Sequence, residues 1–541
     1  MDKNTIIALI IVGLILLLWP MYMRRVVGVN ESIKEQQVQS QINESETGEE
    51  LEIQDSIYLE EIDEKTQNES SDIDFQIKEP DTLIVNTENF RAELSSLGGG
   101  TILKWRLKKY FKGDKKNNIP VELIPDSAEG NLGIILNRDL SDIVFDVEVD
   151  TLGEEKTYRF VHRFEEGGRV EKEFVFQPRS YDVEMKVGFF NLNRNDIERK
   201  YIVQWGTGFN PTEENIRDDN SYYQAYALQG DELLKIKEGS TEQKEGTTYW
   251  VAFRTKYFLM ALIPKEPVGI AAELQGRKIQ IENNEWKSYT IQLTMPYIGI
   301  PEETGRFTLY LGPMDYPQLK SYHVQLEKMM NFGWTIIRPF SIAFFYTLQF
   351  IYGVVRNYGW AIIIFSILVK IVLHPLTRKS YQSMRQMQAL QPKMIDLKER
   401  YKNDSQRMNQ EIMKLYKQHG VNPMGGCLPM ILQMPVLFAL FNLFRTTIML
   451  RQASFLGGVI KDLSAPDRML GGFNVLPVLM SATMIIQQKM SVQDPKQKAM
   501  AYMMPIFFCF IFYNMSAGLN LYYLMFNLFT ITQEFLVKKK E

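Results

Sequence analysis

Two patterns of apolar residues succeed one another along this chain. Between residues 81 and 312 apolar and polar positions alternate in short runs. Tyr158, Phe160, His162 and Phe164 do so in YRFVHRF, an EEGGR turn leads into VEKEFVFQP, and YDVEMKV, KYIVQW, RKIQIEN, SYTIQLTM and RFTLYLG follow. A period of two punctuated by Gly, Asn and Pro marks half-buried strands, and no helical pattern separates most of them. The expectation is a mostly antiparallel β-sandwich over 81–320. Beyond it the apolar runs lengthen to about 359–377, 428–446, 474–489, 500–516 and 518–536. Each approaches the roughly 20 residues that a bilayer-crossing helix needs.

The remaining stretches connect these parts. Residues 1–25 hold an apolar run from Ile6 to Trp19 that ends in Trp-Pro-Met without a small-x-small cleavage site, which predicts an uncleaved signal anchor. Residues 26–80 are acidic and polar and predict a disordered tether. Across 321–358, KSYHVQLEKMMNFG reads as a helix. IRPFSIAFFYTLQFIYGVVRN then reads as an amphipathic helix lying at the interface, because Pro339, Ser341, Thr347 and Gln349 interrupt its apolar run.

Charge orients the helices. Net charge is only −4, but Arg378 to Lys417 carries ten Lys/Arg against four acids. This stretch, with a turn-like KNDS in its middle, predicts a cytoplasmic helical hairpin over 380–419. A second basic stretch, 489–498, and the tail Lys538 to Lys540 fall on the same side if every apolar segment crosses. Six crossings result, with both termini cytoplasmic and the β-sandwich outside. The two cysteines, Cys427 and Cys509, lie in or beside the apolar segments, so the β region can form no disulfide framework or CxxC metal site.

Candidate chemistry centres on Lys370, inside the apolar run GWAIIIFSILVKIVLHPLTRK. A charge there costs on the order of 3 kcal/mol on insertion scales, which makes it a functional candidate. Ser366, Lys370 and Thr377 fall within about 40° of one another on a helix, with His374 nearby and Ile362 expected to face lipid. The competing account is a lysine that snorkels about 12 Å to the level of Arg378. Asn520, Tyr523, Asn527, Thr530 and Glu534 share one face of the last run within about 80°. Gln433, Asn442, Ser481 and Gln487 add polar groups on other segments, where interhelical hydrogen bonding explains any one of them. No acid within the runs 359–377, 428–446, 474–489 and 500–516 is available to neutralise Lys370, and Glu534 is expected near the membrane edge.

NPMGGCLPMILQMPVLFALFNLFR, Asn422 to Arg445, resembles the signature of bacterial YidC-type membrane protein insertases. HPLTRKSYQSM, LQPKM, DLSAPD, LPVLM and GLNLYY stand around it in the same order. The resemblance is close over 355–537 and extends to the anchor and β domain only in layout. It implies an α-helical polytopic membrane protein with a five-helix insertase core (359–541), an N-terminal anchor helix and a periplasmic antiparallel β-sandwich, in the bacterial inner membrane. It implies that nascent membrane proteins enter a hydrophilic groove holding one basic residue, usually arginine. Here that position is Lys370, which keeps the charge but not the planar fork. Ser366, Thr377, Gln433, Tyr523 and Asn527 are the other expected groove residues. The hairpin's Arg385, Lys393, Arg400, Lys402 and Arg407 would recruit substrates and the ribosome, alone or beside the Sec translocon, in contact with membrane lipids.

No cofactor, metal, catalytic residue or specific nucleic-acid recognition is expected, and no GxxxxGK[ST] phosphate loop occurs. Two other readings compete. A polytopic channel or transporter would show internal repeats and broken helices, and no convincing repeat is found. A membrane-anchored sugar-binding protein would need convergent His and carboxylate groups. The β region offers only His162, which its alternation places in a sheet, and His323 at its edge. SSLGGG at 95–100 precedes no clear phosphate-binding helix and reads as a loop.

Overall fold

The computed structural model describes residues 79–541 except 114–118, 127–130, 154, 166, 194–195, 282, 422–427, 492–494 and 540–541. Side chains at 152, 376–385, 388, 428–432, 490–491, 495–501 and 536–539 are likewise outside the description. The expected anchor, nearly all of the tether, the Asn422–Cys427 part of the motif, and the side chains of Thr377 and Arg385 therefore lie outside the described residues.

Two antiparallel sheets form the N-terminal half. One has four strands, Thr82–Asn86, Phe90–Ser95, Thr101–Lys112 and Ile119–Glu122; the other has thirteen. The alternating YRFVHRF and VEKEFVF runs form the hairpin Glu155–Arg163 with Arg169–Phe176, Tyr158 opposite Phe174 and Phe160 opposite Lys172. The inward positions fill a core that encloses Trp105, Trp205, Trp250 and Trp286, with Phe90 stacked on Trp105 at 3.8 Å. Lys172 lies on the inward face and is fully buried. Its ammonium donates to the carbonyls of Gly98 and Leu132 at 3.1 and 2.5 Å, and burial pushes its pKa down to about 7. SSLGGG is a loop, folded tightly over this core. Gly98, Gly99 and Gly100 all have positive φ, and a Cβ on Gly100 would run into the rings of Phe160 and Phe174.

The segment after the sandwich departs from the sequence expectation. KSYHVQLEKMMNFG is not one helix. Helix α1 (Ile216–Tyr222) lies within the sandwich region, and α2 (Tyr316–Ser321) is followed by His323 and Gln325 in left-handed backbone and a short 3-10 turn, Leu326–Met329. The sandwich supplies what the broken helix lacks: Trp250 Nε1 donates to the Val324 carbonyl at 2.8 Å and Arg254 to the Met329 carbonyl at 2.7 Å.

Helix α3 (Arg338–Val355) buries Ser341, Phe345, Leu348 and Ile351 and ends at Arg356, whose φ is +56°. Asn357 then caps α4 (Tyr358–Ala389) by accepting from Gly359 N and Trp360 N. Helix α4 continues ten residues beyond Lys379, so the hairpin expected from residue 380 begins later. SYQSMRQMQA holds no helix breaker, and the break comes at Leu390 before Pro392. The hairpin itself is α5 (Gln391–Arg400) and α6 (Ser405–Gln418), capped by Asp404, which accepts from Arg407 N at 3.0 Å. The other helices are α7 (Leu428–Thr446), α8 (Val475–Ser491), α9 (Pro495–Phe512) and α10 (Ala517–Lys539). Among the described residues, one helical stretch, Tyr358–Pro375, is long and apolar enough to cross a membrane by length and composition; Tyr502–Phe512 is apolar but shorter.

Charged groups join the sandwich to the loop after α7. Arg451, 7% exposed, donates to Glu213 at 2.7 Å and to the Phe111 carbonyl at 2.7 Å. Gln452 donates to the carbonyls of Phe111 and Gly113 at 2.6 and 2.7 Å. Arg445, at the end of α7, pairs with Asp218 of α1, which also binds Lys256 at 2.9 Å. Burial pushes the Glu213 carboxyl up to about 7, against the opposing pull of Arg451 and with a contribution from Asp219. Burial outweighs the ion pair, as expected where desolvation is large.

Two predictions follow from this architecture. Gly100→Ala must place a side chain in left-handed backbone against two buried rings, so unfolding of the detergent-solubilised protein, followed by tryptophan fluorescence, is expected to show a loss of roughly 1–3 kcal/mol; an unchanged midpoint would mean that the loop yields freely. A carboxyl whose folded pKa is raised contributes stability that is complete below its unfolded value and is lost as pH rises through the folded value. Glu213→Gln is therefore expected to flatten the fall in thermal stability between pH 4.5 and pH 7 seen for the parent chain, and equal slopes for the two proteins would contradict that origin.

Candidate functional site

The candidate site lies where α4, α8 and α10 pack together. Lys370, 9% exposed, extends from α4 and donates to Thr530 Oγ1 of α10 at 2.7 Å; its ammonium stands 4.9 Å from the centroid of the Phe526 ring. Thr530 in turn donates to the Phe526 carbonyl at 2.7 Å, which leaves its oxygen lone pairs for the ammonium. One turn further along α4, His374 Nδ1 lies 2.9 Å from Gln533 Nε2. Lys370 therefore does not extend away to solvent at the level of Arg378. It points across to the polar face of α10.

That face is populated along the length of the helix. Asn520 and Asn527 are buried, Tyr523 is half-buried, and Asn527 Nδ2 donates to Thr483 of α8 at 3.3 Å. Three enclosed polar atoms at this face and on α8 lack a hydrogen-bond partner among the described residues, the hydroxyls of Tyr523 and Ser481 and Asn520 Oδ1, as does the Tyr522 hydroxyl on another side of α10. Buried polar atoms are normally satisfied, and water is the usual partner where protein supplies none. Such a row of atoms suits a hydrated path or a polar visitor.

The other expected groove residues are distributed differently. Ser366 is fully buried and donates back to the Ile363 carbonyl at 2.6 Å, so its hydroxyl is not directed to Lys370. Gln433 is half-buried on α7. Ile362, expected to face lipid, is instead completely buried and lies where a Cβ on Gly518 would touch it. The exposed apolar face of α4 is carried by Trp360, Ile364, Ile367, Leu368, Ile371 and Val372. Glu534, expected near the membrane edge, is half-buried on α10 one turn beyond Thr530. Sequence reasoning placed Thr530 on the polar face without assigning it to Lys370, and it missed Thr483. The S-A-T spacing at 481–483 was the available signal for the latter.

The hairpin forms a separate small core from Leu390, Leu415, Tyr416 and Val421, packed with Met387, Met394, Leu397 and Ile412. Lys393, Arg400, Lys402 and Arg407 are exposed around it. Lys393 Nζ lies 3.1 Å from His419 Nε2, and Arg407 stands 5.5 Å from the Tyr401 ring centroid. In the sheet, His162 is half-buried between Phe145 and Phe164, and burial lowers its pKa. Among the described residues there is no group of three or more His, Cys, Asp or Glu arranged to hold a metal ion.

Known proteins are similar to this chain over most of its length. Residues 82–343 match the YidC periplasmic domain, and residues 350–541 match the family described as 60Kd inner membrane protein. A membrane protein insertase YidC of Chlorobium luteolum is 38% identical over 492 residues, covering 84% of this chain and 82% of its own. Another, from Chloroherpeton thalassium, is 32% identical over 585 residues, covering 100% of this chain and 96% of its own. A crystal structure of an active YidC insertase with its first transmembrane domain resolved covers 84% of this chain and 93% of its own, at 18% identity and a TM-score of 0.38. Since relatives above 30% identity run through both the sandwich and the helices, the chain belongs to the YidC family of membrane protein insertases, inner-membrane polytopic helical proteins with a periplasmic β-sandwich.

Proposed function

We propose that Lys370 is the receiving charge of a hydrophilic groove formed by α4, α7, α8, α9 and α10, through which nascent membrane proteins pass into the bilayer. The enclosed Lys370 ammonium, facing the polar side of α10, carries this reading. A client brings a polar tail that lipid rejects and an apolar helix that lipid accepts. Polar groups and water along α10 lower the barrier for the tail. Lys370 attracts its acidic residues where the low dielectric strengthens the interaction. The apolar segment then moves sideways into the bilayer, driven by burial of its surface, and no nucleotide hydrolysis is required.

The exposed cations of the hairpin support a cytoplasmic position for it, with both chain termini on that side and the sandwich in the periplasm. Lys393, Arg400, Lys402 and Arg407, with Arg385, form the surface proposed to recruit the nascent chain or the ribosome. The same core would serve alone or beside the Sec translocon.

Lys370→Ala is expected to slow insertion of clients with acidic translocated tails several-fold in vesicles while sparing clients with neutral tails, and Lys370→Arg is expected to restore the rate. Uniform effects on both client types would show a structural role instead. A photoreactive residue at position 370 or 523 is expected to crosslink a stalled client, while one at exposed Ile371 is expected to capture mainly lipid. Equal yields at all three positions would move the path to another face.

A further inference from the structure

The loop between α7 and α8 contains two similar turns that the insertion path does not use. Leu456-Gly457-Gly458-Val459 is closed by paired bonds between Phe455 and Ile460, and Leu470-Gly471-Gly472-Phe473 by a bridge between Leu470 and Phe473. Each turn holds two glycines at positive φ, and Leu456 itself adopts φ of +52°, a conformation that disfavours a leucine. The apolar residues thus displayed are about half exposed or more: Leu456 is 54% exposed, Val459 52%, Leu470 68% and Phe473 49%. A Cβ on any of the four glycines would meet nothing within 4 Å. The glycines themselves have open space beside them, although Gly457, Gly458 and Val459 border a cleft shared with Glu213, Glu214 and Asn215 of the sandwich.

Their level along the helices identifies what they meet. The loop leaves the end of α7 and enters the start of α8. It therefore lies with the start of α4, the end of α9 and the start of α10, at the end of the bundle opposite the basic hairpin. Phe455 packs edge-on against Trp360 of α4 at 5.6 Å, and Phe473 against Tyr513, next after α9, at 5.9 Å. Asn474 fixes the second turn there, donating to the Tyr513 carbonyl at 2.6 Å. Trp and Tyr at the ends of crossing helices mark the headgroup level of a bilayer. Lys461 and Arg468, both exposed on the same loop, supply cations for lipid phosphates. Apolar tips, interfacial aromatics and basic residues at one level match a phospholipid surface.

We infer that the two Gly-Gly turns insert into the outer leaflet and anchor the α7–α8 loop to the lipid headgroup boundary. The inference rests on the reading that these helices cross the membrane with the hairpin on the other side. Placed there, the turns hold the outer rim of the core, and through Arg451 and Gln452 the sandwich above it, at a fixed height over the bilayer.

The test uses the full-length protein in phospholipid vesicles, with Cys427 and Cys509 replaced by serine. Single cysteines, Leu456→Cys and Leu470→Cys, carry an environment-sensitive dye, and the lipids carry bromine either near the headgroup or deep in the acyl chain. Ile371→Cys on the exposed face of α4 and Lys278→Cys on the sandwich serve as references. Blue-shifted emission at both turns, quenched more by shallow than by deep bromine, is expected. Quenching at Ile371 with none at the turns overturns the inference and leaves the crossing helices in place. Absence of quenching at Ile371 as well overturns the membrane reading on which both depend. Blue-shifted but unquenched turns would assign the surface to a protein partner and equally overturn lipid anchoring.

Discussion

An ammonium enclosed among helices bordered by lipid must be solvated by something other than bulk water, and the helical core is arranged around that demand. Thr530 supplies a hydroxyl oxygen, Phe526 a ring face, and Glu534 a carboxyl one turn beyond Thr530. None of these forms a close ion pair with the lysine among the described residues. Under the proposed role, a cation held tightly by its own carboxylate would have little attraction left for an incoming acid. The same reasoning covers the incompletely bonded polar atoms along α10. Left dry they cost stability, and under the proposed role a hydrogen-bonding occupant of the space would satisfy them.

The second demand is mechanical. A large sandwich and a helical bundle are linked by a segment whose helix breaks at His323 and Gln325, and a broken linker alone would leave them loosely coupled. Coupling comes from bonds far apart in sequence: Arg451 to Glu213, Arg445 to Asp218, and the Tyr257 hydroxyl to the Arg445 carbonyl at 3.2 Å. Trp250 and Arg254 add bonds to the linker's own carbonyls. The ion pairs are partly buried, so their removal one partner at a time leaves a charge with reduced solvation. That gives the joint a definite geometry, although each pair alone contributes little net stability.

Much of this was legible in the sequence where a local period governs. Alternation in YRFVHRF and VEKEFVF specified the hairpin, because a strand exposes its faces every second residue. The same alternation places Lys172 inward with Val170 and Phe174, yet a lysine in a run of charges invites an outward reading. The helical period set Lys370 and Thr530 on polar stripes of their own helices but could not show that the stripes meet. It also misdirected Ile362, since an apolar side chain has the same pattern whether it faces lipid or a glycine on the next helix, here Gly518. The partners of Arg445 and Arg451 lie more than two hundred residues upstream, and no local signal encodes such contacts. Continuation of α4 past Lys379 was missed for a simpler reason: the change from apolar to basic composition marks where a helix leaves the membrane, not where it stops.

The way Arg451 and Gln452 grip the sandwich has an evolutionary consequence. Apart from the Glu213 contact, the acceptors are main-chain carbonyls of Phe111, Thr212 and Gly113. A carbonyl is present whatever the side chain, so substitutions along that edge of the sandwich leave the acceptors intact as long as the backbone path is kept. For these carbonyl contacts, side-chain variation along that edge of the sandwich requires no compensating change at Arg451 or Gln452, whereas Glu213 and Asp218 must keep their carboxylates to hold Arg451 and Arg445.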